Sequence, residues 1–435
     1  MANQIHARYA VRTLRLLMPD SVTTVTPTHG IFFMPRNTLQ WLTLVVVLLL
    51  SSSGIFAERA DPVSNASGSP TDRLLSPNRA AAVTLWNDRA LELCVKYRRN
   101  PLRVARALAV LHVAIYDAVA AAKDGAEQAQ AIAAATAAGV VLDYLFPLET
   151  PGRFEAMAWA IYAGAAAAPG ASRETLGDAR RAGQRAAERA IAHALRDHSD
   201  LVWDPRERPA PAPGRWRAAP PLYAYDPLEP LAASWATWVL KDGGEVQPPP
   251  PVAYNTPAYW REAEEVLAVS LALTAEQKRL AEDWNLDRGS VTPAGVWNLK
   301  ARNLIEAGDL DTLRTAQVLA VLNMAMADAA VASWRAKFTH WTQRPVTAIR
   351  ERFDPAWLPL ILTPPFPSYV STHATLSGAA AEVLAAFFPA AAGPLQAAAA
   401  EAAMSRLYGG IHFRSDNDAG LELGRRIGRL VVERK

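Results

Sequence analysis

The sequence predicts an all-α protein built as two helical bundles, and three observations carry that reading. Apolar residues recur at three- and four-residue spacing along most of the chain, which puts them on one face of a helix. Runs that alternate β-branched with polar residues are nearly missing. Thirty-two prolines stand among long alanine-rich stretches. Alanine is the best helix former and proline stops helices, so the chain reads as helices separated by proline-rich connections. With 435 residues, 51% of them hydrophobic and 20% charged, there is ample material for a large core.

Residues 1–57 read as a signal peptide or an over-extended N-terminus, with Met34 as an alternative start. The run "LQWLTLVVVLL" follows Arg36 and precedes "SSSGIFAERADP". It is shorter than the roughly 20 apolar residues that a membrane span needs, and small residues follow it as at an export cleavage site. The expected destination is periplasmic or extracellular, or membrane-anchored if the signal is uncleaved. Residues 58–78 are a Ser/Asn/Pro-rich linker.

The first bundle is expected over 79–202. It opens with "AAAVTLWNDRALELCVKYRR" and "PLRVARALAVLHVAIYDAVAAA", where Pro101 takes a favoured first-turn position. Helices follow near 126–145, 152–168 and 172–197, the last with a charged face opposite an Ala/Leu face. The prolines of 203–230 forbid regular structure and make it a long connecting loop. The second bundle, 231–435, is expected to hold helices at 231–240, 257–269, 274–286, 294–306 and 311–337. After the break "LTPPFPSYVS", helices at 372–388, 392–408 and 416–433 complete it. No stretch beyond the leader looks long enough to span a membrane. The run "AAAEVLAAFFPAAAGPLQAAAAEAAM" is interrupted by Glu382, Pro389, Gly393 and Pro394.

Formal net charge is +3, and Arg8, Arg12, Arg15 and Arg36 against Asp20 account for all of it. The remaining chain is near neutral, which gives no support for nucleic-acid binding. A single cysteine, Cys94, excludes a disulfide within the chain and a cysteine-based metal site.

Three segments near the C-terminus concentrate the chemistry. "KFTHWTQRP" carries Lys337 and Arg344, "PSYVSTHATLSG" carries Ser371, Thr372 and His373, and "SRLYGGIHFRSD" carries Arg406, His412 and Asp416. A tetrahedral oxyanion calls for several cations, main-chain N–H donors at a helix start and a hydroxyl. Lys337, Arg344 and Arg406 supply charge. Ser371 and the amides of Thr372 and His373 supply donors where the helix dipole is positive. Two histidines suit nucleophilic attack and proton transfer. Asp416, four residues beyond His412, is spaced to fix that ring's tautomer. Gly409 and Gly410 are expected to let the backbone turn close to the anion.

These segments resemble the motif set of the type 2 phosphatidic acid phosphatase and vanadium-dependent haloperoxidase superfamily: Lys-x6-Arg-Pro, Pro-Ser-Gly-His and Ser-Arg-x5-His-x3-Asp. Lys337, Arg344 and Pro345 match the first, Ser371 and His373 the second, and Ser405, Arg406, His412 and Asp416 the third. Further stretches, among them "WNLDRGSVTPAGVWN" and "LNMAMADAAVASWRAKF", are similar to the soluble bacterial haloperoxidase-like branch, so the likeness runs from about residue 80 to the end. Thr372 departs from the motif glycine, and Val370 rather than proline precedes Ser371.

The resemblance implies a helical haloperoxidase-like fold. In a haloperoxidase, His412 would bond the vanadium of vanadate, and hydrogen peroxide and halide would be the substrates. In a secreted acid phosphatase, which needs no cofactor, His412 would attack small phosphate esters. In both, His373 is the acid–base partner, and Lys337, Arg344, Ser371, Thr372 and Arg406 hold the oxygens. A non-catalytic anion-binding helical protein is a third reading, disfavoured because both histidines and the three cations are retained.

Other residues have weaker expectations. Trp334 is placed to border a halide pocket or to be core. His340 is placed to reach the cavity rim or to have an ordinary polar role, the second being favoured. Asp283, Asp287 and Asp328 are candidates to pair with Arg344 or Arg406. His112 and Asp117, five apart, are expected to be structural rather than catalytic.

Overall fold

The computed structural model describes residues 80–168 and 172–435. The leader expected at 1–57 and the linker at 58–78 lie outside the described residues, as does the start of the first bundle at 79.

Among the described residues there are thirteen α-helices and no named strand. The first group comprises α1 (Ala81–Lys96), α2 (Pro101–Ala121), α3 (Glu127–Leu145), α4 (Arg153–Ala167) and α5 (Arg173–Ala194). The second comprises α6 (Pro257–Leu271), α7 (Ala275–Asp283), α8 (Thr292–Ala307), α9 (Thr312–His340), α10 (Pro345–Arg352), α11 (Thr372–Phe387), α12 (Ala392–Tyr408) and α13 (Arg414–Arg434). Their starts follow side-chain chemistry. Asn100, Ser172, Thr256, Thr274 and Asp311 each accept a hydrogen bond from a main-chain N–H in the first turn. Pro101 and Pro345 occupy first-turn positions where the missing N–H costs nothing.

Helix α9 joins the two groups. It is 29 residues long and buried along most of its length, and it packs against both α2 and α11. Around these, α2 packs with α3 and α5, and α11 with α12 and α13. Both α2 and α9 are long and apolar enough to cross a membrane, which corrects the sequence reading that no stretch is. Their apolar surface is mostly buried against other helices of this chain.

The expected helix at 231–240 does not form. Residues Pro230–Ser234 make a 3-10 turn. The N–H groups of Trp238, Val239 and Leu240 then donate to the buried Asp328 carboxylate on α9 at 2.7, 2.9 and 2.9 Å. A carboxylate ninety residues away has taken the donors that an α-helix would have used. The short helix α10, which periodicity did not reveal, starts at Arg344.

The helices that carry the second and third motifs meet at glycines. A Cβ at Gly424 of α13 would stand 2.0 Å from the Thr375 carbonyl oxygen of α11, and one at Gly420 2.6 Å from the Ser371 oxygen. No side chain fits in that space. Gly424→Ala is therefore expected to force α11 and α13 apart and to destabilise the chain by about 1–3 kcal/mol or more. Urea denaturation checks this; unaltered stability would mean that the helices are not held at this distance.

Candidate active site

Three loop-to-helix junctions converge. The first follows α9. Trp341 takes a left-handed conformation (φ 51°) that ends the helix, and its N–H closes on the Lys337 carbonyl at 2.8 Å. The chain then runs extended to Arg344, pairing with the proline-rich loop through Trp216 N–H to the Trp341 oxygen (2.7 Å) and Gln343 N–H to the Gly214 oxygen (2.9 Å). The second junction is the segment before α11. Ser368 N–H donates to the Thr342 oxygen (3.0 Å), and Tyr369 N–H to the Thr342 hydroxyl (2.9 Å). The third is the start of α13, whose Asp416 carbonyl accepts from Ser371 N–H at 2.9 Å. Main-chain bonds thus tie 342 to 368 and 371 to 416.

His412 is buried, with Nδ1 2.9 Å from Asp416 Oδ2 and Nε2 3.0 Å from Arg344 Nη1. Because the neighbour of Nδ1 is a carboxylate and that of Nε2 an obligate donor, the proton is assigned to Nδ1 and the lone pair to Nε2. Asp416 Oδ2 also accepts from Ser368 Oγ (2.5 Å) and Phe413 N–H (3.2 Å). Burial pushes its carboxyl up from the ordinary value, while Ser368, Lys337 and Arg344 pull it down. The bonded geometry, with three donors on Oδ2, favours the carboxylate.

Lys337, Arg344 and Arg406 are all buried. Lys337 Nζ contacts the carbonyl oxygens of Pro367 (3.0 Å), Ser368 (2.9 Å) and Val370 (2.5 Å). Burial, then Arg344, push its proton affinity well below the ordinary lysine value. Three acceptors nevertheless take the three protons of an ammonium, so the geometry favours the charged form. To reach a bound oxyanion, Lys337 must give up one of these carbonyls. Arg344 donates to the oxygens of Phe366 (2.8 Å) and Ile411 (2.7 Å), and Arg406 to the Ala281 oxygen and Ser405 Oγ (both 3.0 Å). Burial lowers both arginines to about 9, and for Arg406 the Arg344 charge adds to the effect. His412 is pushed well below its ordinary value, first by burial and then by Arg344, Lys337, His373 and Arg406. His373, half-buried, is likewise lowered by burial and then by Arg406.

Three buried polar atoms in this cluster have no hydrogen-bond partner: Arg344 Nη2, Ser371 Oγ and His373 Nε2. Buried polar atoms are normally paired. A set made of a guanidinium N–H, a hydroxyl and an imidazole nitrogen, beside a lone-pair-bearing imidazole and three cations, suits an oxyanion such as phosphate or vanadate. The residues present therefore fit the group that the motifs imply. Thr372 turns its hydroxyl to Ser333 (3.1 Å) and begins α11 without a left-handed backbone angle, so the missing motif glycine is accommodated.

Residues 317–394 and 391–435 match the VCPO second helical-bundle domain. The structure is similar to a bacterial vanadium-dependent iodoperoxidase, with TM-score 0.71 and 26% identity over 83% of this chain and 97% of that one. The fold is that of the vanadium haloperoxidases. An apo-type bacterial vanadium-dependent chloroperoxidase superposes with TM-score 0.62 at 19% identity, covering 77% of this chain and 94% of that one. A holo-type one gives 0.59 at 18%, covering 85% and 96%. At the level of sequence, no curated protein matches the chain.

Within this haloperoxidase fold the weaker expectations divide. Trp334 is buried, donates to the Leu228 oxygen (3.2 Å) and packs on Phe366 with ring centroids 4.9 Å apart. Phe366, which sequence reasoning missed, lies under both Lys337 Nζ (5.1 Å) and the Arg344 guanidinium (4.7 Å), so it is the aromatic wall of the cationic cluster. Its signal was present in the proline-flanked "PPFPS". His340 is exposed, meets Tyr369 edge-on, and lines a cavity of about 230 Å³ that also touches Glu262, Phe413 and Asp416.

The proposed acidic partners are corrected. Asp328 is committed to the three amides at 238–240, and Asp283 is exposed beside Arg279 (3.4 Å). Asp287 is exposed. The arginines instead donate to the carbonyls of Phe366, Ile411 and Ala281 and to the Ser405 hydroxyl. Gly409 and Gly410 serve protein packing rather than an anion: a Cβ would meet Ile361 at 2.7 Å in one case and Pro359 at 3.0 Å in the other, and Gly410 has φ +74°. His112 bonds Asn87 (3.1 Å), and Asp117 pairs with Arg189 (3.4 Å), both away from this cluster. Two further positioning residues were missed. Ser368 buttresses Asp416, and Glu262 accepts from Ser415 N–H (3.0 Å) and Oγ (2.8 Å) at the start of α13.

Both histidines resist protonation in the folded chain, whereas an unfolded histidine titrates near 6.5. As pH falls through about 6.5, the unfolded state binds protons that the folded state refuses, so stability is lost downward and regained upward. His373→Gln is expected to flatten the stability profile between about pH 5.5 and 7.5, by at most about 1.4 kcal/mol per pH unit. Urea titrations of the two proteins check this, and equal slopes would contradict it.

Proposed function

We propose that the protein is a vanadium-dependent haloperoxidase that oxidises halide with hydrogen peroxide at a vanadate ion held by His412. The observation that carries the reading is the Nε2 lone pair of a buried imidazole, fixed by Asp416, accepting from Arg344 and lying in the field of Lys337 and Arg406. The likeness to iodo- and chloroperoxidases supports it.

In this reading Arg344, Arg406 and Ser371 hold the vanadate oxygens, joined by the Thr372 amide at the positive end of α11 and by Lys337 once it leaves a loop carbonyl. Bound vanadate supplies a Lewis acid that makes a peroxide oxygen electrophilic towards halide. Overall, the halide loses two electrons to hydrogen peroxide. With one proton taken up, hypohalous acid and water result. His373, whose Nε2 is unpartnered and whose proton affinity is low, is the group that moves that proton. Asp416 and Ser368 keep His412 in the tautomer that coordinates.

An Nε2 lone pair also favours a second reading, in which it leaves Arg344 and attacks the phosphorus of a small phosphomonoester. We further propose that the chain is exported, on the strength of the short apolar run and small-residue exit before residue 57. The N-terminal sequence of secreted protein tests that step.

The purified chain is to be assayed with bromide or iodide, peroxide and a 1,3-diketone, with and without vanadate. Halogenation only with vanadate is expected. Hydrolysis of an aryl phosphate that vanadate inhibits, without halogenation, would replace this reading by the phosphatase. Neither activity would leave an anion-binding protein. His412→Ala is expected to abolish turnover, and Arg406→Ala to cost about 2.7–4 kcal/mol of barrier. His340→Ala should change the rate by less than about tenfold. Equal effects of the two histidine changes would overturn the assigned roles.

A further inference from the structure

We propose that the proline-rich loop forms a binding site for a small aromatic carboxylate. A crevice of about 900 Å³ is lined along one side by Pro205, Pro209, Pro211 and Pro213 and along the other by Trp341, Gln343 and Glu351. That volume lies within the range of small-molecule sites, about 300–1,000 Å³. Prolines cannot easily rearrange, so this wall is set before a ligand arrives.

The chemistry of the lining selects an anion with a flat ring. Arg208, Arg215 and Arg217 face the crevice against one acid, Glu351, whose carboxylate is held by the Tyr254 hydroxyl. Arg208 is occupied, lying 3.8 Å over the Tyr225 ring and donating to the Tyr225 oxygen. Arg215 gives one N–H to the Ala210 oxygen (2.7 Å). Neither Arg215 nor Arg217 forms an ion pair with any described residue, so both guanidinium groups remain open to a carboxylate, which they grip through paired N–H donors.

The second observation is independent of these exposed charges. Trp216 is only 7% exposed and lines the crevice, yet its indole Nε1–H is buried without an acceptor. An unpaired buried donor is uncommon, and it leaves the Trp216 indole with an unmet hydrogen bond in the wall of the crevice. Trp216, Trp341 and Tyr254 supply ring faces for an aromatic body.

The crevice shares a wall with a cavity beside the site. It shares Pro213, Arg215 and Tyr254 with the 230 Å³ cavity that reaches Asp416. If the haloperoxidase reading holds, on which only this last step rests, a phenolic acid bound there intercepts hypohalous acid. A ring C–H bond breaks, a carbon–halogen bond forms, and the proton leaves with the hydroxyl as water.

Binding is tested without vanadate or peroxide, by isothermal titration and tryptophan fluorescence of the full chain. The probes are 4-hydroxybenzoate, phenol and cyclohexanecarboxylate. We expect 4-hydroxybenzoate to bind at least about tenfold more tightly than either of the others. Arg215→Ala/Arg217→Ala should bring it down to the level of phenol, with unchanged helical content by circular dichroism, and Arg215→Lys/Arg217→Lys should restore part of the difference. Equal binding of the three probes, no loss in the double alanine variant, or displacement of 4-hydroxybenzoate by orthovanadate or phosphate would overturn the site. Selective binding by a protein without halogenating activity would leave the site standing and remove only the haloperoxidase reading.

Discussion

Lys337, Arg344 and Arg406 are all buried, and among the described residues Asp416 is the carboxylate whose charge acts on Lys337 and Arg344. Isolated buried charge is among the most unfavourable things a fold can hold, so everything around the cluster bears its mark. Main-chain carbonyl dipoles from Phe366, Pro367, Ser368, Val370, Ile411 and Ala281 accept from all three cations. Burial nonetheless depresses the proton affinity of all three cations, and with them both histidines. The field that makes the ligand-free site unfavourable is the same field that would bind an oxyanion strongly and keep His412 neutral as a ligand.

Holding such a cluster together requires rigid supports at short range. The starts of α11 and α13 are joined by the Ser371–Asp416 main-chain bond, and glycines let the two helices pack without side chains between them. Helix α9 carries Lys337 through the centre of the molecule, and its Asp328 fixes the irregular segment at 238–240 that covers it. The proline-rich loop is bonded to residues 341 and 343, so the wall of the outer crevice and the backbone leading to Arg344 are one continuous piece. A ligand in the crevice and an anion at the cluster would thereby be linked through one short stretch of chain, 341–344.

Much of this was legible in the sequence because the information was local. Apolar spacing gave the long helices within a few residues, and motif spacing placed Arg344, His412 and Asp416 close enough to be hydrogen-bonded. The failures are long-range. The apolar pattern at 231–240 could not disclose that Asp328 would capture its amides, nor that this acid was therefore lost as a partner for Arg344 or Arg406. Ser368 was hidden because Ser371, three residues on, already filled the motif serine. The pair at 409–410 looked like room for an anion, and instead makes room for Ile361 and Pro359. In each case a contact between distant segments decided the outcome, and one sequence carries no direct record of such contacts.

The central claim is that these residues form a single oxyanion site with His412 Nε2 as its coordinating atom. A crystal structure of the protein grown with orthovanadate tests it most directly. Vanadium is expected bonded to Nε2 of His412, with its oxygens within hydrogen-bonding distance of Arg344, Arg406 and Ser371 and with Lys337 released from a loop carbonyl. Vanadate bound elsewhere, or held there with Nε2 still on Arg344, would contradict it.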